Sequence, residues 1–178
     1  LPIGNVGNVV CHSDMNCMSV LEYGIGSLKV KHVIVCGHYG CGAVKASLTL
    51  PAKTAGVVNG WIASIRDVRN KYASVLNAMP EEKRPDLLSE LNALEQMIHV
   101  CTSPAVQTAW DNKQELYVHC LVYDIATGKL KVLIPGVTSL DNLLELKNFQ
   151  EGIVSEDGAK TTFDDSLQQL VYLESAAK

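Results

Sequence analysis

The sequence predicts an α/β domain with a central, mostly parallel β-sheet flanked by helices. Three observations support this class: a short β-branched run before a glycine-rich loop, long segments with helical spacing of apolar residues, and two further apolar runs near residue 120. Alternating strands and helices are typical of a domain in which helices cover a sheet. The chain has 178 residues, of which 47% are hydrophobic, so it is long enough to bury one such core.

The first part of the chain predicts two helices around one buried strand. Apolar residues recur at helical spacing over residues 13–29, and Ser13 or Asp14 can cap the start of this helix. Residues 32–36 are rich in β-branched side chains, which predicts a buried parallel strand. A glycine-rich loop follows, and a second helix is predicted over residues 43–50.

The middle of the chain predicts three amphipathic helices and then two strands. Prolines and short polar connections separate these segments. The predicted elements are helices over residues 59–78, 86–101 and 104–110, and strands over residues 116–123 and 130–134.

The composition changes after Pro135 and Gly136. Weaker helical patterns at residues 141–149 and 164–177 are separated by a polar stretch at residues 155–162. We therefore expect two regions, a main domain over residues 1–136 and a C-terminal helical arm or extension over residues 137–178.

Charge and hydropathy exclude several classes of protein. The formal net charge is −4 and no basic stripe is interleaved with aromatic residues, which disfavours a nucleic-acid binder. No apolar run approaches the roughly 20 residues of a membrane helix, and the first basic residue is Lys29, unlike a secretory or transit signal. Six scattered cysteines are typical of a reducing compartment. We expect a cytoplasmic protein, or a mitochondrial one if an upstream segment exists.

The loop after the first strand carries the clearest chemical signal. His38 and Cys41 lie three residues apart, and both side chains are ligands that suit zinc. Gly37, Gly40 and Gly42 allow the backbone to bend so that the two side chains converge. In open α/β sheets, binding sites lie at the carboxyl ends of strands, where this loop follows its strand. The alternative is chance, because a bare H-x-x-C spacing is a weak motif.

Several stretches of the chain carry a family resemblance. They are residues 21–23 (LEY), 28–30 (LKV), 33–44 (VIVCGHYGCGAV), 61–68 (WIASIRDV), 106–110 (VQTAW) and 122–130 (VYDIATGKL). Together they resemble the β-class carbonic anhydrases, particularly fungal ones, over most of residues 5–134. The segment after Gly136 has no counterpart in that family pattern.

The resemblance implies a zinc lyase that hydrates CO2 reversibly to bicarbonate by a zinc-bound hydroxide. In that family two cysteines and one histidine hold the metal, and His38 and Cys41 match two of these ligands. Tyr23 matches a position that lines the substrate pocket, and Gly42 matches the glycine after the cysteine ligand. The family fold is a parallel sheet flanked by helices, and the resemblance also implies a homodimer.

The chain departs from the family pattern near its N-terminus. The first zinc cysteine of the family lies in a C-x-D-x-R segment, which we expect to precede Leu1, so the main domain is expected to be N-terminally truncated. Gly4 and Gly7 stand where the family has arginine and alanine. Without the cysteine and the Asp–Arg pair of that segment, we expect weak zinc binding and weak or absent activity in this chain, since catalytic zinc sites use three protein ligands.

Other cysteines and histidines have simpler structural interpretations. The cluster from Cys11 to Asp14 could supply a replacement ligand, but a helix cap beside a half-buried cysteine is the favoured interpretation. The remaining residues of these types are expected in the core or in structural hydrogen bonds, namely Cys17, Cys36, His32, His99 and His119.

Three functional hypotheses remain open at this point. The first is an ordinary zinc hydrase whose upstream segment is not represented here. The second is a zinc-deficient, non-catalytic relative that acts as a dimeric scaffold or small-molecule binder. The third is an enzyme of the same fold that acts on a CO2-like molecule such as carbonyl sulfide.

Overall fold

A computed structural model describes residues 1–145, and its elements follow the predicted order. The predicted polar stretch at 155–162 and the predicted helix at 164–177 lie outside the described residues. The elements are α1 (Met15–Glu22), β1 (His32–His38), α2 (Gly42–Thr49), α3 (Val57–Trp61), α4 (Ala63–Lys71), α5 (Ala73–Ala78), α6 (Arg84–Cys101), α7 (Pro104–Asp111), β2 (Tyr117–Asp124) and β3 (Lys129–Val137).

The three strands of the described residues form one sheet in the order β1-β2-β3. β1 and β2 are parallel, with His32 opposite Tyr117 and His38 opposite Tyr123, whereas β2 and β3 are antiparallel. The α/β class is therefore confirmed, and the parallel arrangement applies to one of the two pairings. A tight turn joins β2 to β3, and such a turn can connect only antiparallel strands.

One face of this sheet packs on α6, and within residues 1–145 no element covers the other face, which we call the open face. Val118, Cys120 and Val122 of β2 alternate toward α6 and are fully buried. A Cβ atom added at Gly37 would lie 3.2 Å from the Cβ of Ala93 on α6, so β1 and α6 are in close contact at this point. Residues of the opposite alternation are exposed in β1, which places their side chains on the open face.

The N-terminal helix has a cap and an irregular end. The carboxylate of Asp14 accepts hydrogen bonds from the backbone N–H groups of Asn16 (3.0 Å) and Cys17 (3.4 Å), which confirms the predicted helix cap. The predicted helix over residues 13–29 is regular only over α1, after which Tyr23–Ser27 forms a π-helical turn.

The single helix predicted over residues 59–78 is divided into α3, α4 and α5. The breaks fall at Ile62 (φ −79°, ψ 7°) and Tyr72 (φ −104°, ψ 27°). Both side chains are fully buried, and the hydroxyl of Tyr72 donates to Glu95 Oε1 on α6 at 2.7 Å. A straight helix of this length would be about 30 Å long, and the two breaks allow the chain to follow the core with both residues inside it.

The strand β3 continues through Pro135 and Gly136, where the composition changes. The pairing with β2 shifts in register there, because Val118 faces Val137 while Cys120 faces Ile134. Residues 140–145 are helical, in agreement with the start of the helix predicted at 141–149, and Leu143 is buried. Within residues 1–145, none of the helices is long and apolar enough to cross a bilayer.

Candidate metal centre

The loop between β1 and α2 is anchored at both ends. The backbone N–H of Tyr39 donates to the carbonyl of Tyr123 at 3.0 Å, which extends the β1–β2 pairing into the loop. Gly40 then takes a left-handed conformation (φ +71°), which a residue with a side chain adopts only at a cost. Cys41 follows as the residue that caps the start of α2. Gly40 therefore turns the chain between the two candidate ligands, His38 and Cys41.

His38 has one ring nitrogen held and the other left available for a ligand. Its Nδ1 lies 2.9 Å from the carbonyl oxygen of Tyr39. Because a carbonyl oxygen only accepts hydrogen bonds, Nδ1 donates in this contact, and in a neutral imidazole this leaves the lone pair on Nε2. A backbone carbonyl in this role is typical of histidines that bind metals, since it fixes the tautomer and the ring orientation. His38 is half-buried.

Cys41 is the N-cap residue immediately before α2 and is 9% exposed. The backbone N–H groups at the start of a helix lack intrahelical acceptors and carry partial positive charge. His38 therefore lies at the end of a strand and Cys41 at the start of the next helix. The convergence of the two side chains on one metal ion stays a prediction.

The described residues contain no group of three histidine, cysteine or acidic side chains that could hold a metal ion. Catalytic zinc sites use three protein ligands, so His38 and Cys41 fit two of the positions and residues 1–145 do not complete the set.

The cluster Cys11–Asp14 instead forms the start of α1. Asp14 caps the helix, and the Sγ atom of Cys11 lies 3.0 Å from the hydroxyl oxygen of Ser13. This hydrogen bond lowers the pKa of the half-buried Cys11 thiol. His12 Nε2 lies 2.7 Å from the carbonyl oxygen of His99, to which it donates. These contacts satisfy the polar groups of the cluster locally.

The other cysteines differ in their exposure. Cys17 lies buried on α1 and Cys36 is exposed on the open face of β1, and desolvation raises the pKa of both thiols. The expectation that Cys36 belongs to the core is wrong, because it lies in the exposed alternation of β1. Burial raises the pKa of the Cys101 thiol to about 12, so this group is a neutral core side chain.

Tyr23 and Gly42 lie at element boundaries. Tyr23 follows α1 and begins the π turn, with 54% of its surface exposed. Gly42 is the first residue of α2, and a Cβ atom added there would meet no other atom within 4 Å. Within residues 1–145, the space beside Gly42 is therefore open. The role of Tyr23 and Gly42 in a substrate pocket therefore stays a prediction.

An apolar groove of about 480 Å³ lies beside β1. We call it the N-terminal groove, because residues 1–10, α1 and the edge strand β1 line it. Apolar side chains dominate its lining, including Leu1, Ile3, Val9, Leu21, Ile25 and Val100. His38 and Cys41 are not part of this lining, so the groove and the loop are separate features.

Side chains from α6 and β3 hold the loop through contacts that the sequence does not predict. The hydroxyl of Tyr39 donates to Glu90 Oε1 on α6, and Lys131 Nζ on β3 lies 3.1 Å from the same oxygen. Glu90 is 7% exposed. No local motif predicts this network, because its members lie on three separate elements.

Comparison with known proteins identifies the family of this chain. A family model described as carbonic anhydrase matches residues 2–130. The chain belongs to the carbonic anhydrase family. A carbonic anhydrase of Emericella nidulans is 37% identical over 152 residues, which are 83% of this chain and 65% of that protein. The carbonic anhydrase of Candida albicans is 34% identical over 134 residues, 74% of this chain and 47% of that protein. The chain thus spans about half to two thirds of these relatives.

Solved structures place this carbonic anhydrase chain in the β class. The Coccomyxa β-carbonic anhydrase in complex with acetazolamide is similar with a TM-score of 0.76 and 45% identity, over 83% of this chain and 70% of that one. A tetrameric β-carbonic anhydrase of Sordaria macrospora is similar with a TM-score of 0.69 and 31% identity, over 75% of this chain and 67% of that one. The predicted resemblance to β-class carbonic anhydrases, with fungal relatives, is confirmed.

Proposed function

We propose that the protein to which this chain belongs interconverts CO2 and bicarbonate with a zinc ion, and that His38 and Cys41 provide two of the zinc ligands. Family membership supports the reaction class. The observation that carries the assignment of residues is the tautomer of His38, whose Nδ1–H is bound to the Tyr39 carbonyl (2.9 Å) so that Nε2 is available.

The proposal gives a different role to each of the predicted site residues. Zinc, when bound, lowers the pKa of a coordinated water to near 7. His38 binds through Nε2 and Cys41 through Sγ, at the positive end of α2. Gly42 keeps the space beside Cys41 free of side-chain atoms, which suits a substrate as small as CO2. Tyr23 supplies an aromatic wall of the pocket.

Residues 1–145 by themselves provide only two zinc donors, so we propose that this chain holds zinc weakly and hydrates CO2 poorly. Structural zinc sites with a full ligand set have binding free energies of roughly 10–16 kcal/mol. A missing ligand removes a substantial part of that free energy.

A second candidate function is that of a zinc-deficient relative that binds a small molecule or acts as a dimeric scaffold. The N-terminal groove favours it, because a largely apolar cleft of about 480 Å³ is in the size range of small-molecule sites. This candidate predicts that removal of metal leaves folding and assembly unchanged.

We also propose a cytoplasmic homodimer as the working form. The scattered free cysteines support a reducing compartment. The open face of the sheet supports an assembly with a second copy.

Metal analysis of the purified full chain tests the zinc proposal. After dialysis against a mild chelator, we expect less than one zinc per chain, and we expect His38→Ala to weaken residual zinc binding about 100-fold, because one of two donors is lost. His12→Ala is the matched control, since His12 is exposed and bonded to a backbone carbonyl. One tightly held zinc per chain that persists in His38→Ala would contradict the assignment of both ligands.

A further inference from the structure

Two histidines on the open face of the sheet are in direct contact. His32 begins β1 and His119 lies on β2, and their register positions are diagonal neighbours, because His32 faces Tyr117 while Ile34 faces His119. The Nδ1 atom of His32 lies 3.1 Å from the Nε2 atom of His119. Two ring nitrogens from adjacent strands are therefore within hydrogen-bond distance of each other.

The surroundings fix the orientation of both rings. His119 Nδ1 contacts the carbonyl oxygen of Pro135 on β3, so Nδ1 donates and Nε2 carries the lone pair that faces His32. The ring of Tyr117 stacks on the ring of His32 with centroids 5.2 Å apart. The absence of a side chain at Gly136 leaves room for the His119 ring, since a Cβ there would lie 3.4 Å from Cε1.

The separation of the two nitrogens matches that of two ligands of one metal ion. Nitrogens at about 2.0–2.1 Å from zinc are about 3.3–3.4 Å apart in tetrahedral geometry, and about 2.9 Å apart at a right angle. The observed 3.1 Å lies between these values. Metal binding would replace the hydrogen bond between the two rings, and the proton on His32 Nδ1 would move to the other nitrogen of that ring.

We propose that His32 Nδ1 and His119 Nε2 form a surface site for a divalent metal ion that prefers imidazole, such as Cu²⁺, Ni²⁺ or Zn²⁺, with water in the remaining positions. The nearby Lys31 does not oppose a cation strongly, because it is paired with Glu115 at 2.6 Å. Affinity should follow the general order for nitrogen ligands, with Cu²⁺ bound more tightly than Ni²⁺ or Zn²⁺.

This site is separate from the loop that carries His38 and Cys41. The two histidines of β1 are its first and last residues, so six residues of extended strand, about 20 Å, separate them. Each site can therefore be removed without the other, and the failure of one proposal leaves the other standing.

The test is a titration of the full chain carrying His38→Ala with Cu²⁺ or Ni²⁺. We expect one ion per chain, with electron paramagnetic resonance of the copper form showing coupling to two imidazole nitrogens. His32→Gln and His119→Gln, each added to this background, should weaken binding about 100-fold. His12→Gln is the control, because His12 is an exposed histidine outside the pair. Unchanged affinity in either Gln variant of the pair, or lost affinity in His12→Gln, would overturn the proposal.

A second measurement does not depend on the folding of any variant of the pair. Substoichiometric Cu²⁺ added to the unsubstituted chain should broaden the nuclear magnetic resonance signals of the His32 and His119 rings and of the stacked Tyr117 ring first. Broadening confined to the residues around His38 and Cys41, with the His119 signals unchanged, would refute the site.

Discussion

At the scale of single residues, Gly7 shows how a departure from a family pattern can have a local structural cause. Its φ of +78° lies in the left-handed region, and a Cβ atom added there would lie 2.6 Å from Ile65 Cδ1. Ile65 is fully buried and has little freedom to move. The alanine of the family pattern does not fit this backbone, so Gly7 is not by itself a sign of lost function.

We expect Gly7→Ala to lower the free energy of unfolding by about 1–3 kcal/mol, because backbone strain and the contact with Ile65 act together. Urea denaturation measures the change. Gly4→Ala is the matched control, since a Cβ at Gly4 meets no atom within 4 Å, and its effect should stay within about 0.5 kcal/mol. Equal effects of the two substitutions would show that the left-handed turn is not fixed.

The candidate ligands could be predicted from the sequence because the signal is local. His38, Cys41 and the three glycines around them lie within residues 37–42, and a strand followed by a helix places them at a sheet edge. The contact between His32 and His119 could not be predicted in the same way. It depends on the register of two strands 85 residues apart, as His32 pairs with Tyr117, and a one-residue shift would separate the rings.

At the scale of elements, the helix α6 connects the sheet to the N-terminal segment through a row of polar side chains. Asn92 Nδ2 donates to the carbonyl of Gly7 at 2.8 Å, and Gln96 Nε2 donates to Asn92 Oδ1 at 3.0 Å. The backbone N–H of Val10 donates to Gln96 Oε1 at 2.8 Å. Both amide side chains are at most 3% exposed. This row fixes the segment that lines the N-terminal groove.

Asn92→Ala should therefore destabilise the fold by about 1–3 kcal/mol, because it leaves buried polar partners without hydrogen bonds. Hydrogen exchange gives the specific readout, since the amides of residues 5–10 should lose protection more than those of β2. Asn77→Ala, at an exposed position on α5, should change stability by less than about 0.5 kcal/mol. Uniform loss of protection across the sheet would contradict a local role for the row.

Helix and strand positions were largely predictable because periodicity is a property of short segments. The predicted helix over 86–101 corresponds to α6, and the strand over 116–123 corresponds to β2. The division of the predicted helix over 59–78 was not predictable, because it depends on where Ile62 and Tyr72 meet the rest of the core. The prediction of a mostly parallel sheet does not hold for β3. The connection between β2 and β3 is a short turn, which requires the two strands to be antiparallel.

At the scale of the whole molecule, the open face of the sheet carries a continuous apolar surface. Tyr123 faces Leu130, and Leu121 faces Val132, so these side chains lie on the same side as Ile34. Ile34, Leu130 and Val132 are each 55–60% exposed. Contiguous exposed apolar residues usually mark an interaction surface. In the proposed homodimer, a second copy of the chain would cover this face.

If this face is the dimer contact, Val132→Asp should raise the dissociation constant of the dimer at least about 10-fold, because a desolvated carboxylate without a partner opposes association. Analytical ultracentrifugation over a concentration series measures the constant. Val57→Asp on α3 is the control, since Val57 is 91% exposed and lies on another element. If Val57→Asp weakens the dimer and Val132→Asp does not, the dimer contact lies near α3. The open face of the sheet is then not the dimer interface.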